Sequence, residues 1–332
     1  MLCTKVCPIL NKQNFNNDNI QKTYISWNKN KKQRKRSSSG GLFPAFSKYF
    51  IDNGGIVIGA GYDENMHLKH KWTDNQNGLK CFSGSKYLQS DTKGIYFQTK
   101  QFLDKGKLVF FSGVPCQILG LFSYLGNNYD NLFACEVFCH GVPSPEIFKD
   151  YISYLEKDGN KIIGFDFRSK ILTWSKPCVK LSYKGRLPKY TLFSMCNFIT
   201  WFGLHLSVRE SCFNCPCRTL KRNADLSIGD FWGIEDVDAS LKRRNGISAL
   251  IINSKKGDFL FEQISENLFF KKCTLNQIIK KNKWLIANYD HPIEREKFFH
   301  TWKEQGITGL IKRYPSAKIS SKLINRLKSF IQ

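Results

Sequence analysis

Cys212-Phe213-Asn214-Cys215-Pro216-Cys217 is the segment of this chain with the most definite chemical content. Two thiols separated by two residues can bind one metal ion or one edge of an iron–sulfur cluster, because the turn between them presents both sulfurs to the same side. Two further cysteines stand in loops of the kind that approach ligands. Cys116 lies in Phe111-Ser112-Gly113-Val114-Pro115-Cys116-Gln117, after an apolar run and at a helix start, where the dipole favours a thiolate as metal ligand or nucleophile. Cys139 opens Cys139-His140-Gly141-Val142-Pro143-Ser144, again directly after an apolar run. Cys116, Cys139, Cys212 and Cys215 make the four ligands that a structural zinc or a cubane cluster requires. Zinc ribbons generally carry two CxxC knuckles; one pair plus two lone cysteines in ligand-type loops favours iron–sulfur. Cys81, Cys135, Cys178, Cys196 and Cys273 are expected to be packing residues.

Two other segments carry chemistry. Ser37-Ser38-Ser39-Gly40-Gly41 precedes a helical stretch containing Pro44. Free amides and the helix dipole favour phosphate there, so the segment is either an anion-binding helix start or the end of a flexible linker. Cys3-Thr4-Lys5-Val6-Cys7-Pro8 matches the tail of the bacterial ferredoxin run, whose first two cysteines would precede Met1.

These loops need a scaffold. Residues 1–37 are polar and Asn/Lys-rich and are expected to be a fragment and a linker, with order beginning at Ser38. From there to about residue 144, strands expected at 55–60, 66–72, 107–111 and 132–138 alternate with helices at 42–52, 93–104, 117–125 and 145–156, the pattern of an α/β sheet with flanking helices. Both single-cysteine loops then lie at the carboxyl ends of strands, the edge where open α/β sheets bind ligands. Residues 161–183 suggest a smaller antiparallel section. Strands at 224–228, ending in a Gly-Asp-Phe-Trp-Gly turn, and at 248–252 follow, then a helix at 257–266. Ile319, Leu323, Leu327 and Ile331 mark an amphipathic C-terminal helix, expected to dock on the domain or a partner, with at most peripheral membrane contact.

Composition excludes several classes. With 42% hydrophobic and 23% charged residues in 332, the chain has globular averages, and no apolar run approaches the roughly 20 residues that span a bilayer. The first residues lack the features of a signal peptide, so the expected location is the cytoplasm, where 12 cysteines point to metal or redox chemistry rather than disulfides. The net charge of +24 accompanies high Asn and Ile throughout; the one dense basic run, 29–36, is not interleaved with aromatics. It is expected to be a solvated linker, and no nucleic-acid partner is expected.

Taken as a set, Ser38-Ser39-Gly40-Gly41, the run from Phe82 through Ser90, Ser112 through Gln117, Cys139 through Ser144 and Ala224 through Gly233 resemble the coenzyme F420 hydrogenase/dehydrogenase beta subunit family over about residues 37–253. The resemblance implies FAD and a 4Fe-4S cluster, commonly behind an N-terminal ferredoxin module, which the Cys3 to Pro8 tail would fit in truncated form. It places FAD between Ser38, Ser39, Gly40, Gly41 and the loop Gly84, Ser85, Lys86, Tyr87, with Gln89, Ser90, Gly113, Pro115 and Gln117 completing the set. Lys86 would face a phosphate or stabilise negative charge on the reduced flavin, unless it is an ordinary surface lysine. His140 would relay a proton, cap a helix or hydrogen-bond a cluster sulfur. The division implied is a tail and linker at 1–37, an α/β part at 38–158, a part with the CxxC motif at 159–253 and a helical extension at 254–332. The implied function is electron transfer between a reduced carrier (deazaflavin, nicotinamide or ferredoxin) or partner redox subunit and a small-molecule acceptor, with surface-polysaccharide biosynthesis as one setting. A zinc-stabilised scaffold without flavin is the competing reading.

Overall fold

The apolar runs resolve, in a computed structural model, into one eight-stranded mixed sheet and one three-stranded antiparallel sheet; the structure describes Thr4, residues 20–241 and residues 243–317. The large sheet has the spatial order β11 (Leu268–Lys272), β1 (Lys22–Asn28), β10 (Ser248–Ile252), β9 (Leu226–Asp230), β5 (Leu132–Val137), β4 (Val109–Gly113), β2 (Ile56–Tyr62) and β3 (Leu68–Thr73). β2, β4, β5 and β9 are parallel, while β3, β10, β1 and β11 join antiparallel at the two sides.

A parallel strand covered on both faces needs a continuous apolar run, and β4 is buried throughout. Its alternate residues serve two cores. Phe110 packs with Phe46 and Phe50 of α2 (Leu42–Asp52) and shares a core with Leu260 and Ile264 of α7 (Lys255–Ile264). Val109 and Phe111 face the opposite side, with Ile95 and Leu103 of α3 (Ile95–Asp104) and Ile118 and Leu121 of α4 (Pro115–Leu125).

The small sheet, β6 (Ile162–Ser169), β7 (Cys178–Tyr183) and β8 (Arg186–Leu192), packs its aromatic face on α5 (Pro145–Leu155), α6 (Asn197–Gly203) and α9 (Arg295–Arg313). Phe148, Phe165, Phe167, Phe198, Trp201 and Phe298 form that core. The expected α/β class with a smaller antiparallel section and a helical C-terminal part is therefore the observed one. No helix among the described residues is long and apolar enough to cross a membrane.

Two expectations are corrected. Order does not begin at Ser38: β1 lies inside the large sheet between β10 and β11, and residues of the expected linker form α1 (Lys31–Arg36). β1 shows no clean alternation because helices or loops cover both its faces; Ile25 is fully buried in one core and Tyr24 in another. The chain beyond residue 253 is also not purely helical, since it supplies the edge strand β11 between α7 and the short α8 (Leu275–Ile279). The ferredoxin-like tail residues Cys3, Cys7 and Pro8 and the amphipathic stretch 319–331 lie outside the described residues.

If β1 is integral to the sheet, Ile25→Ala should destabilise the protein by about 2–5 kcal/mol, the range for truncating a fully buried aliphatic side chain. Urea unfolding followed by circular dichroism measures this, and a cost below about 0.5 kcal/mol, as for a surface position, would remove β1 from the core.

Candidate functional site

The carboxyl ends of β4, β5 and β9 open on one cavity of about 620 Å³, roofed by α6 and the segment 82–90. That volume is in the range of small-molecule and cofactor sites. Of the residues singled out from sequence, Ser38, Ser39, Gly41, Gly84, Ser85, Lys86, Tyr87, Gln89, Ser90, Gly113, Cys116, Gln117, Cys139, His140 and Cys212 line it. Gly40, Pro115 and Cys215 do not. Gly40 is buried against the sheet: its amide donates to Ser248 Oγ, its carbonyl accepts from the Asn28 amide, and a Cβ would stand 2.7 Å from Ser26 O. Pro115 is the first residue of α4, where a missing N–H does no harm.

The Ser/Gly loop is fixed from three sides. Ser38 Oγ accepts from the Ser85 amide at 2.6 Å, which joins it to the 84–87 turn. Ser39 Oγ donates to Ile247 O at 3.0 Å. Behind the loop, buried Lys170 donates to three carbonyls, Arg34 O, Ser39 O and Asn245 O, at 2.5, 2.7 and 2.6 Å. Burial, with Arg34 nearby, brings the Lys170 pKa down to about 7. α2 starts after left-handed Gly41 with no side-chain cap, and its first residues, Leu42, Phe43 and Pro44, line the cavity. Lys86 donates to Phe82 O and Ser83 O at 2.9 and 3.0 Å, closing its own turn, and burial lowers its pKa to about 8.

A second network holds the Cys116 loop. His70 Nε2 meets Ser112 O at 3.0 Å and Nδ1 meets Ser90 Oγ at 2.8 Å. With Nε2 protonated toward the carbonyl, Nδ1 accepts from the Ser90 hydroxyl. Gln117 Nε2 donates to the same hydroxyl at 2.9 Å, while its Oε1 accepts from the Val114 amide. Segments 89–90 and 112–117 are thereby locked together through a buried neutral imidazole.

The remaining thiols arrive by a strand-like crossing. Arg209 N donates to Val142 O and Ser144 N to Ser207 O, so 207–209 runs antiparallel beside the Cys139 loop. Gly141 permits the approach: its φ is +104°, and a Cβ there would collide with Tyr289 Oη at 2.4 Å and Val208 at 2.9 Å. The four thiols sense one another. Burial pushes the Cys116 thiol up to about 12, with further upward pressure from Cys215 and Cys212, and Cys139 is raised by burial and then by Cys116, Cys212 and Cys215. Cys215 is lowered to about 6 by a hydrogen bond from Cys217, whose own thiol is raised in consequence. Among the described residues no three His, Cys, Asp or Glu side chains already form a metal-holding group, so the thiols are neighbours rather than a closed ligand set. As a donor set they suit a polycationic centre, because mutually repelling thiols, Cys116 exposed and the other three half-buried, ionise once a metal supplies the compensating charge.

His140 shares its Nε2 with His205 Nε2 at 3.0 Å, and its carbonyl accepts from Tyr289 Oη at 2.9 Å. Burial, then the charges of His205 and Arg218, hold its pKa near 4. On the far wall Trp232 stacks on Trp174 at 4.8 Å, and Asp230 accepts from Trp174 Nε1 while pairing with Arg168. The sequence reading missed His70, Lys170 and Arg209. Each is one polar residue in a short run with no spacing pattern, and only the fold shows what it touches.

His70 sits neutral with its pKa lowered to about 4 by burial, against about 6.5 when unfolded. A depressed histidine contributes stability above the unfolded pKa and loses it as pH falls, so stability should decline from about pH 6.5 to 4. His70→Gln should flatten that part of a urea-unfolding pH series by up to about 3 kcal/mol, and an unchanged slope would contradict the buried neutral assignment.

The family model for the C terminus of the coenzyme F420 hydrogenase/dehydrogenase beta subunit matches residues 106–277, more than half of the chain. No curated protein matches. Among solved structures, a chain of the F420-reducing [NiFe] hydrogenase complex from Methanosarcina barkeri has a similar fold, with a TM-score of 0.55 at 16% identity, covering 86% of this chain and 94% of that one. The chain belongs to the coenzyme F420 hydrogenase/dehydrogenase beta subunit family, and its role is of that oxidoreductase-related type.

Proposed function

We propose that this protein carries electrons between a reduced carrier and a small-molecule acceptor by way of FAD and one 4Fe-4S cluster. The observation that carries the reading is the single cavity on which the Ser/Gly loop, the 84–90 segment, both single-cysteine loops and Cys212 converge. FAD, when bound, would take electrons as a hydride pair and release them singly, which matches a two-electron carrier to a one-electron cluster.

The chain's own residues divide the work. The start of α2 and the Ser38 hydroxyl suit a diphosphate, by the anion preference of a helix start. Tyr87, Phe202, Trp232 and Trp284 give the cavity aromatic surfaces for a planar ring system. Cys116, Cys139, Cys212 and Cys215 would hold the cluster, with Cys217 donating to Cys215. Arg209 lies near the Cys116 and Cys212 thiols and is held by Gln89 Oε1 at 2.6 Å, so its charge would offset theirs. His140 lines the cavity and meets half-buried His205, a route by which a proton would pass to solvent.

The carrier would be a deazaflavin, a nicotinamide or ferredoxin, and the acceptor a small molecule such as a glycan precursor. A partner redox subunit is consistent with the similar fold found in a hydrogenase complex.

Anaerobically prepared protein should contain close to one flavin and about four irons per chain. Cys212→Ser and Cys215→Ser should each abolish the cluster absorbance while leaving the flavin spectrum, and Lys170→Met should weaken flavin binding about tenfold by freeing the Ser39 carbonyl. Metal and flavin analysis on the same samples decides the matter: zinc without flavin would replace the redox reading with a zinc-stabilised scaffold.

A further inference from the structure

The basic run at 29–36 has no part in the site, yet it is not the solvated linker its composition suggests. Its residues from Lys31 to Arg36 form α1, a helix anchored through one side. Asn30 caps it by accepting from the Gln33 amide, and Asn28 Nδ2 donates to Gln33 Oε1 at 2.7 Å. Arg34 donates twice to Gly246 O, at 2.9 and 2.6 Å, and lies 4.3 Å over the Trp27 ring. Lys170 takes the Arg34 carbonyl, and Ser37, the next residue after the helix, lines the cavity.

With Gln33 and Arg34 turned to the protein, Lys31, Lys32, Lys35 and Arg36 are all exposed. Arg244 is exposed too, in the loop whose Gly246 receives Arg34. Among the described residues none of these five cations is ion-paired. Lys31 and Lys35, and Lys32 and Arg36, are like charges four residues apart on a helix, which destabilises it, and Lys31 and Lys32 also oppose the dipole at its start. The fold thus holds a repulsive cluster in fixed geometry beside the cavity mouth, where a flexible linker would have let the charges separate.

Resting on the redox reading for the choice of partner, we infer that α1 and Arg244 form the docking surface for an acidic protein, a redox carrier or partner subunit that presents carboxylates. A macromolecule suits the surface better than a small anion. The cations run along a helix about 9 Å long and are exposed over its whole length. A protein carboxylate cluster would relieve the repulsion along the whole length and be steered toward the cavity mouth.

The test uses the full reconstituted chain and a plant-type ferredoxin as the acidic probe, with association rates measured by stopped flow at increasing salt. The comparison is a variant carrying Lys31→Gln, Lys32→Gln, Lys35→Gln and Arg36→Gln. Wild-type association should fall steeply with salt, and the variant should associate about ten- to a hundredfold more slowly at low salt with a distinctly weaker salt dependence. Its flavin content should match wild type and its thermal unfolding should be equal or slightly higher, since the anchoring residues are untouched and the repulsion is removed. A flavin-loaded wild type whose rate is indifferent to the four substitutions overturns the docking surface. So does equally fast, equally substitution-sensitive binding of a DNA duplex or of phosphatidylserine vesicles, which would make the patch a general polyanion binder. Salt-dependent, substitution-sensitive binding by protein that holds no flavin would support the surface and overturn the redox reading instead.

Discussion

Asp230 stands at the carboxyl end of β9, where the large sheet would otherwise end in solvent. Arg168, from β6 of the small sheet, pairs with it, and both side chains are buried or nearly so. Taking two charges out of water is costly, and the cost is offset only when geometry and further hydrogen bonds are good. Here Trp174 Nε1 supplies a second donor to Asp230 at 2.8 Å, and the guanidinium lies 5.1 Å over Trp232. Breaking such a pair from one side typically costs about 3–5 kcal/mol because the other charge stays buried. The pair therefore ties the small sheet to the large one at Asp230, a residue of the cavity wall.

That tie matters because the site is assembled from distant pieces. Ser38 comes from the start of the chain, Ser85 from the turn after β3, Cys116 and Cys139 from two parallel strands, and Cys212 from the segment after α6. Each joint uses a short contact with little slack: Ser38 to Ser85, His70 to Ser90 and Ser112, Arg209 to Val142. Glycine makes the tightest of them possible, since the Cys139 loop passes Tyr289 and Val208 with no room for a Cβ at Gly141.

Much of this was legible in the sequence, for physical reasons that also mark where legibility ends. The parallel strands and the loops after them were readable because burial on both faces demands continuous apolar runs, and those runs stop at Gly113 and Cys139. β1 was not readable. Its Thr23, Tyr24, Ile25 and Ser26 are all buried, two of them polar, so neither an alternating nor an apolar pattern stands out from Asn/Lys-rich surroundings. β11, Leu-Phe-Phe-Lys-Lys, ends in two exposed lysines because it is an edge strand. The cysteine pair was legible because chelation imposes a spacing. Lys170 and His70 were not, because hydrogen bonds to carbonyls far along the chain impose none.

The structure also disposes its buried cations in a way that bears on how a redox site is tuned. Lys86 and Lys170 each spend their hydrogen bonds on backbone carbonyls, and Arg168 is matched by Asp230. Apart from Arg209, the cavity interior is then lined chiefly by backbone, hydroxyls, aromatic faces and thiols rather than by free charge. In a low-dielectric cavity a net charge acts strongly on whatever is bound, in proportion to how little solvent screens it. A bound group that changes charge during turnover would meet fixed dipoles at the start of α2 and at Ser38, whose hydroxyl is held by the Ser85 amide. Such dipoles stabilise a developing charge without reorganising, whereas free lysines would bind one charge state so firmly as to hinder the other. With Lys170 and Arg168 held outside the cavity lining and Lys86, which does line it, committed to two carbonyls, one site would accommodate both states.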